Sequence, residues 1–391
     1  MSKSKKPNAD RAPSGMKDSG LASAAQAAIS ASRYEHLPNG DIHFAPTYDY
    51  PIAHVEALGR KIAREKKPLM RIEPAPAGMV RLRLTDLGKD VLKALNADWP
   101  AIEAAYLGYT LNPVLQLFLR VIRQVPLSAF GFLNCPMPQE SAIEIAANVE
   151  RVMVKARFRL KSAAMKSAVD NFSRGARDNF ARLMNGVDWL AQRHRNVVSV
   201  RLDLYLPKRE SEPSSTDAGA QEDARRLAGL RDDYARCLRR KFGNSLIATA
   251  SGLEHGRARG FHVHLWAVFK PAVADDIEQF AEGLGLEWAG MIDGDAACFF
   301  NCHKKITKYR YPMIGQVDLH QPDVIDGIRA LCTYFTAAAL FVKLNIDRLR
   351  TFRMWGFPNA PLSKPGPKPK MRTPVMRVPL HWARDRFIKW I

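Results

Sequence analysis

Two histidines stand one residue apart in the apolar segment EHGRARGFHVHLWAVF, residues 254–269. The segment's apolar character predicts a β-strand, in which residues i and i+2 point to the same side. His262 and His264 therefore project together, and two imidazoles at that spacing can bind one metal ion. We expect the third donor to be Glu254, which a hairpin returns towards the histidines, with His255 as a weaker alternative. Two ordinary core histidines are the competing interpretation.

The expected donor set, two imidazoles and one carboxylate, suits Mg²⁺ or Mn²⁺ acting on phosphate, and Mn²⁺ tolerates imidazole better. A second possible site, Cys298, Cys302 and His303, lacks the further cysteine pair of a zinc knuckle. We therefore expect these three to be small core residues. The five scattered cysteines argue against a disulfide framework and for a reducing interior.

The charge of the chain indicates an anionic partner. Its 391 residues carry 59 Lys and Arg against 39 Asp and Glu, a net charge of +20. Such an excess predicts attraction to nucleic acid, and the alternative is a well-solvated basic surface. No apolar run reaches the roughly 18 residues of a membrane span, and the N-terminus lacks the apolar core of a secretory signal. We expect no membrane partner and a cytoplasmic location.

The composition divides the chain into four parts. These are a low-complexity basic tail, a mostly helical region, a mixed α+β domain and a Pro/Lys-rich tail, with expected bounds of 1–45, 46–195, 196–355 and 356–391. The helical region has a basic face that is either solvated or lies along phosphates, formed by Arg151, Lys155, Arg157, Lys161 and Lys166. The motif KPGPKPK in the last part is either a charged linker or a contact to a phosphate backbone.

The α+β domain shows two periodicities in turn. Alternating β-branched segments at 197–207 and in NSLIATASG and GFHVHLWAVF predict strands, and amphipathic segments at 224–242, 271–285 and 323–346 predict helices. One or two further short strands are expected between 297 and 319. The order β-α-β-β-α-β-α predicts one antiparallel sheet with helices packed on one face, of the ferredoxin-like or RRM-like kind.

Three motifs resemble the HUH endonuclease superfamily, most closely the replication initiators of inovirus-type, filamentous-phage-like elements. HVHLW resembles the His-hydrophobic-His motif, and VVSVRLDLYLP, with Arg201, Asp203 and Leu204, resembles the first strand of those initiators. LEHGRARGFHVHLW resembles their second motif, and LCTYFTAAALFVK resembles their tyrosine helix. The resemblance covers residues from about 195 to 355.

The resemblance implies an HUH nuclease fold with both histidines on a central strand. It implies that Tyr334 attacks single-stranded origin DNA with help from a divalent metal on His262, His264 and Glu254. The products are a 5′-phosphotyrosine link and a free 3′-hydroxyl, as in rolling-circle replication. The implied partners are origin DNA and a host helicase or polymerase, in the cytoplasm of a bacterium that carries the phage or mobile element.

One departure from the family concerns the position after the tyrosine. The tyrosine helix of that family usually has Tyr-x-x-Lys, whereas this chain has Ala337. Lys343 would lie about 180° around a continuous helix from Tyr334. A DNA-binding replication or regulatory protein with weakened or lost nicking is therefore the alternative function, and a helix-turn-helix regulator is a third possibility without a clear motif.

Tyr309 and Tyr311 are rival nucleophiles in a basic stretch that also suits base stacking. The residues expected to contact DNA are Arg201, Arg257, Arg259, Tyr309, Tyr311, Lys343, Arg348 and Arg350.

Overall fold

The computed structural model describes residues 34–36, 42–44, 49–106, 108–207, 218–256, 260–304, 313–337, 339, 342–347 and 349–357. Its strands are β1 (Tyr34–His36), β2 (Ile42–Phe44), β3 (Met70–Pro74), β4 (Val80–Leu84), β5 (Tyr109–Leu111), β6 (Asn196–Tyr205), β7 (Leu246–Gly256), β8 (Gly260–Phe269), β9 (Phe299–Asn301), β10 (Gly315–Asp318), β11 (Val342–Leu344) and β12 (Phe352–Trp355).

The α-helices are α1 (Asp49–Arg64), α2 (Asp86–Leu95), α3 (Trp99–Ala105), α4 (Pro113–Arg120), α5 (Ser128–Gly131), α6 (Gln139–Lys161), α7 (Ala163–Arg193), α8 (Ala218–Phe242), α9 (Ile277–Met291) and α10 (Pro322–Ala337).

The elements from α1 to α6 surround a hydrophobic core of their own, to which the hairpin β3–β4 also contributes. Arg157, expected on the basic face of this region, is instead buried. Its guanidinium donates to the carbonyl oxygens of Glu65 and Lys67 and pairs with Glu150. A buried guanidinium needs such hydrogen-bond and ion-pair partners. These contacts hold α6 against the segment that follows α1.

The long proline-free stretch before the sheet forms two helices, which separate at Ser162. This residue adopts extended backbone angles (φ −62°, ψ 147°), and its hydroxyl accepts a hydrogen bond from the Met165 amide. An N-cap serine satisfies an amide that has no partner within the helix. The chain thereby turns, and α7 leaves the helical core and packs on the main sheet through Leu183, Val187 and Leu190.

The main sheet is antiparallel throughout, and the predicted α+β fold class of the protein is confirmed. The spatial order is β10–β6–β8–β7–β12, and β9 pairs with β6 further along the same edge as β10. The hairpin β7–β8 places β8 between β6 and β7. Helix α8 connects β6 to β7, and α9 lies between β8 and β9. The central strand is therefore β8, which lies between β6 and β7.

Helices cover both faces of this sheet, so the expectation of helices on one face was wrong. Helices α8 and α9 pack on the face that includes Val200 and Val263, and α7 and α10 pack on the face that includes Ala250 and Trp266. The cause lies in the central strand, since every residue of β8 is buried. A strand that is apolar on both sides needs cover on both sides.

The helix expected at 323–346 is shorter in the structure. It ends at Ala337, and Val342–Leu344 forms β11, which pairs with β5. Lys343 therefore lies on a strand, and the argument that placed it on the far side of a helix was wrong. The apolar run was ambiguous between helix and strand, and pairing with a segment remote in sequence decides the outcome.

Candidate metal centre beside a tyrosine

The register of three strands brings the chemically important side chains to one face of the sheet. Glu254 on β7 lies opposite His262 on β8, and His264 lies opposite Asp203 on β6. Because side chains alternate along a strand, these four residues share the face that α7 and α10 cover. The opposite face holds the core formed with α8 and α9.

Glu254, His262 and His264 form a compact group of potential metal ligands. One donor atom from each lies within 4.8 Å of the others. The Nε2 atoms of His262 and His264 are 3.1 Å apart, and Nε2 of His264 lies 3.4 Å from Oε2 of Glu254. No other group of three such residues occurs among the residues whose positions the structure describes.

Hydrogen bonds orient both imidazoles. Nδ1 of His262 lies 3.2 Å from the Gly260 carbonyl oxygen, and Nδ1 of His264 lies 2.5 Å from Oδ1 of Asp203. In each ring the Nδ1–H donates to an oxygen, which directs Nε2 towards the centre of the group. Gly260 has a left-handed φ of +71°, a conformation that favours glycine.

Tyr334 on α10 lies against this group. Its hydroxyl is 2.9 Å from Nε2 of His264, and the two rings are 4.9 Å apart between centroids. The guanidinium carbon of Arg201 lies 5.1 Å from the centre of the tyrosine ring. The structure thus brings together five residues singled out in the sequence: Tyr334, His262, His264, Glu254 and Arg201.

Neighbouring charges set the protonation of the histidine and the two carboxylates. Burial disfavours the His264 imidazolium, but Asp203 and Glu254 raise the pKa of His264 to about 9. Burial likewise disfavours the Asp203 carboxylate, yet His264 and then Arg201 hold its pKa well below the usual range. The pKa of Glu254 is also lowered, because its contact with His264 outweighs burial. A proton on His264 therefore provides positive charge between the two carboxylates.

The same surroundings disfavour the ionised form of Tyr334. Removal from water and then the charges of Glu254 and Asp203 raise its pKa well above 10, and Arg201 opposes this effect. The phenolate would therefore need additional positive charge nearby.

Two of the three donor separations match those around a divalent cation. Adjacent donors around an ion with bonds of about 2.1 Å are about 3.0 Å apart in octahedral geometry and about 3.4 Å apart in tetrahedral geometry. The 3.1 Å and 3.4 Å separations lie within this range. With a pKa of about 9, His264 is mostly protonated at neutral pH, and a cation that binds its Nε2 would displace that proton.

The remaining residues expected to contact DNA pack against other parts of the chain, are exposed, or lie outside the described residues. Lys343 lies over the Phe172 ring and donates to the Phe172 carbonyl oxygen on α7, and not to any of the three potential ligands. Arg350 is exposed just before β12, where Thr351 accepts a hydrogen bond from the Leu253 amide. Outside the described residues lie Arg257, Arg259, Tyr309, Tyr311 and Arg348.

Sequence reasoning did not assign Asp203 to the site. The available signal was a carboxylate in the largely apolar strand VVSVRLDLYL, two residues from Arg201 and so on the same side. By contrast, His255 lies on the other side of β7 from Glu254, with its ring 4.6 Å from Phe261. Cys298, Cys302 and His303 are buried, as expected of core residues, and neither cysteine forms a disulfide bond within the described part of the chain.

Within the described part of the chain, no helix has both the length and the apolarity needed to cross a membrane. Comparison of the chain with protein-family models, curated proteins and solved structures finds no match.

Proposed function

We propose that the protein is a metal-dependent nuclease of the HUH type, which nicks single-stranded DNA through Tyr334 and so initiates replication of a mobile element. One observation carries the proposal, namely a tyrosine hydroxyl 2.9 Å from a histidine that belongs to a three-residue metal-ligand group. An ordinary core tyrosine does not need two carboxylates and two histidines around its hydroxyl.

The topology supports the same proposal. A β-α-β-β-α-β chain with the last strand beside the first and the third between the first and second is the ferredoxin-like arrangement. Here β6, β7, β8 and the edge strands β9 and β10 follow that order. The histidine pair lies on β8, a central strand, as in the HUH family.

The reaction is a transfer of the phosphoryl group from one oxygen to another. The Tyr334 oxygen forms a bond to phosphorus, and the bond between phosphorus and the 3′ oxygen breaks. The phenolic proton leaves to solvent, and the departing 3′ oxygen takes up a proton from solvent. The 5′ end remains on the tyrosine, and the free 3′-hydroxyl is available to a polymerase.

The residues around Tyr334 have separate roles in this reaction. Glu254, His262 and His264 would hold the metal, whose charge would polarise the scissile phosphate and favour the phenolate. Asp203 and the Gly260 carbonyl hold the imidazoles in the orientation that exposes Nε2.

Arg201 supplies a fixed positive charge against the tyrosine ring. This charge opposes the rise in the pKa of Tyr334 that burial and the two carboxylates cause. It offers a cation at the nucleophile in a chain that has Ala337 where the HUH initiators usually have lysine.

The test uses the full-length protein, Mn²⁺ or Mg²⁺, and a pool of single strands of randomised sequence labelled at the 3′ end. We expect a labelled protein–DNA adduct that resists denaturation. It should be absent in Tyr334→Phe, which retains the ring, and in His264→Ala. It should persist in the matched controls Tyr106→Phe and His320→Ala.

Two outcomes would overturn the proposal. One is DNA binding without an adduct under either metal, which would leave a DNA-binding protein that has lost its chemistry. The other is an adduct that survives in Tyr334→Phe, which would move the nucleophile elsewhere.

A further inference from the structure

The C-terminal half of α6 presents an aromatic ring to solvent. Phe158 is 78% exposed, and Val154, one turn before it, is 56% exposed. Both lie on the side of α6 opposite its buried residues Met153, Ala156 and Leu160. Such a small apolar pair becomes a candidate binding surface only when its surroundings also point to a ligand.

This apolar pair is surrounded by positive charge. Arg151, Lys155, Arg159 and Lys161 are all exposed, and each lies within one helical turn of Val154 or Phe158. From 151 to 169 the sequence contains no Asp or Glu. Among the described residues none of these four has an acidic group within 4.0 Å, the ion-pair limit. We call Arg151, Val154, Lys155, Phe158, Arg159 and Lys161 the α6 basic face.

Helix electrostatics explain only part of this arrangement. Cations in the last turn favour the negative end of the helix dipole, which accounts for Arg159 and Lys161. The same effect does not reach Arg151 or Lys155, two to three turns from the end, and it gives no reason to expose Phe158. The N-terminal half of α6 instead exposes Glu140 and Glu144 beside Ile143.

We propose that the α6 basic face binds single-stranded nucleic acid, with a base stacked on Phe158 and phosphates held by the surrounding cations. This inference rests on the proposed action on single-stranded DNA and adds a surface outside the metal centre. Stacking on an exposed ring requires unpaired bases, which favours a single strand over a duplex. Arg151 and Lys161 are separated by about 15 Å along the helix, so the face accommodates a short segment.

The experiment measures binding of a fluorescent oligothymidine to the full-length protein by anisotropy over a range of salt concentrations. Phe158→Ala should weaken binding about tenfold, and Phe158→Trp should restore it. Lys155→Ala combined with Lys161→Ala should reduce the slope of log affinity against log salt by about 1.4, at about 0.7 for each lost phosphate contact. The folding of each variant is checked by thermal melting.

Matched controls come from the same chain. Ile143→Ala removes a 49% exposed apolar side chain from the acidic half of the same helix. The pair Arg226→Ala and Lys270→Ala removes two exposed charges elsewhere. Both controls should leave affinity and salt slope within error of the wild type.

The proposal fails if Phe158→Ala binds as the wild type does, or if the control pair reduces the salt slope as much as the α6 pair. It also fails if a duplex of equal length, or vesicles of anionic lipid, depend on Phe158 more strongly than oligothymidine does. The adduct assay separates this inference from the nuclease proposal. Binding that depends on Phe158 in a protein that forms no adduct would uphold the surface and reject the chemistry.

Discussion

Metal binding should depend steeply on pH, because His264 must lose a proton before its Nε2 can bind a cation. Asp203 and Glu254 raise the pKa of His264 to about 9. At pH 7 only about 1% of such a group is deprotonated, so metal affinity should be about 100-fold weaker than above pH 9. This corresponds to about 3 kcal/mol.

The sign follows from the direction of the pKa shift. A raised pKa favours the protonated form, so the proton competes with the metal over a wider range than for an ordinary histidine. The affinity for Mn²⁺ should therefore rise about tenfold per pH unit between about pH 6.5 and 9, and then level off.

Asp203→Asn tests the cause of this dependence. The asparagine oxygen can still accept from His264 Nδ1–H, but the negative charge is gone. The pKa of His264 should fall, so the plateau in affinity should begin at lower pH. Above pH 9 the variant should bind Mn²⁺ about 10- to 100-fold more weakly, since it loses a charged partner of a ligand.

The assay is calorimetric titration of Mn²⁺ at several pH values, with proton release measured in buffers of different ionisation enthalpy. Asp318→Asn, which removes a carboxylate on β10 that pairs with Arg195, is the matched control. A wild-type affinity that is constant from pH 6.5 to 9, without proton release, would refute the reasoning.

Three further predictions concern stability. Without metal, the free energy of unfolding should fall by up to about 3 kcal/mol between pH 6.5 and 9, because folding favours protonated His264. Urea titrations should show this fall in the wild type and not in His264→Gln. A wild-type free energy of unfolding that does not change with pH would contradict the prediction. Gly260→Ala should lower the free energy of unfolding by about 1 kcal/mol, because Gly260 has a φ of +71°, and should also weaken Mn²⁺ binding. The control Gly229→Ala on α8, where a Cβ meets open space, should not destabilise the protein. Equal shifts in melting temperature for the two variants would count against this prediction. Ser162→Ala should lower the free energy of unfolding by about 1 kcal/mol through loss of the N-cap. The exposed control Ser167→Ala should lower it by less, and thermal melting of both variants measures the difference.

The ligand group could be predicted from the sequence because it depends on local periodicity. Strand alternation fixes His262 and His264 on one side, and the short hairpin makes Glu254 their neighbour. Both facts follow from a single stretch of chain. The role of Asp203 depends on the register between β6 and β8, which many long-range contacts determine together.

The errors in the fold have the same origin. Apolar runs such as β8 do not show whether one or two layers of helices will cover them, and α7 belongs to the sequence before the sheet. The end of α10 depends on whether Val342–Leu344 finds a partner, and that partner is β5 in the helical region. Neither the packing of α7 on the sheet nor the pairing of β11 with β5 leaves a local signal in the sequence.

The most direct test of the central claim is to identify the residue that becomes attached to DNA. The protein is incubated with Mn²⁺ and the randomised single strands, the adduct is digested with nuclease and trypsin, and the modified peptide is sequenced by mass spectrometry. We predict a nucleotide remnant on Tyr334, within the peptide 330–343, that is lost in His264→Ala. A remnant on Tyr309 or Tyr311, or DNA cleavage without any modified tyrosine, would contradict the account.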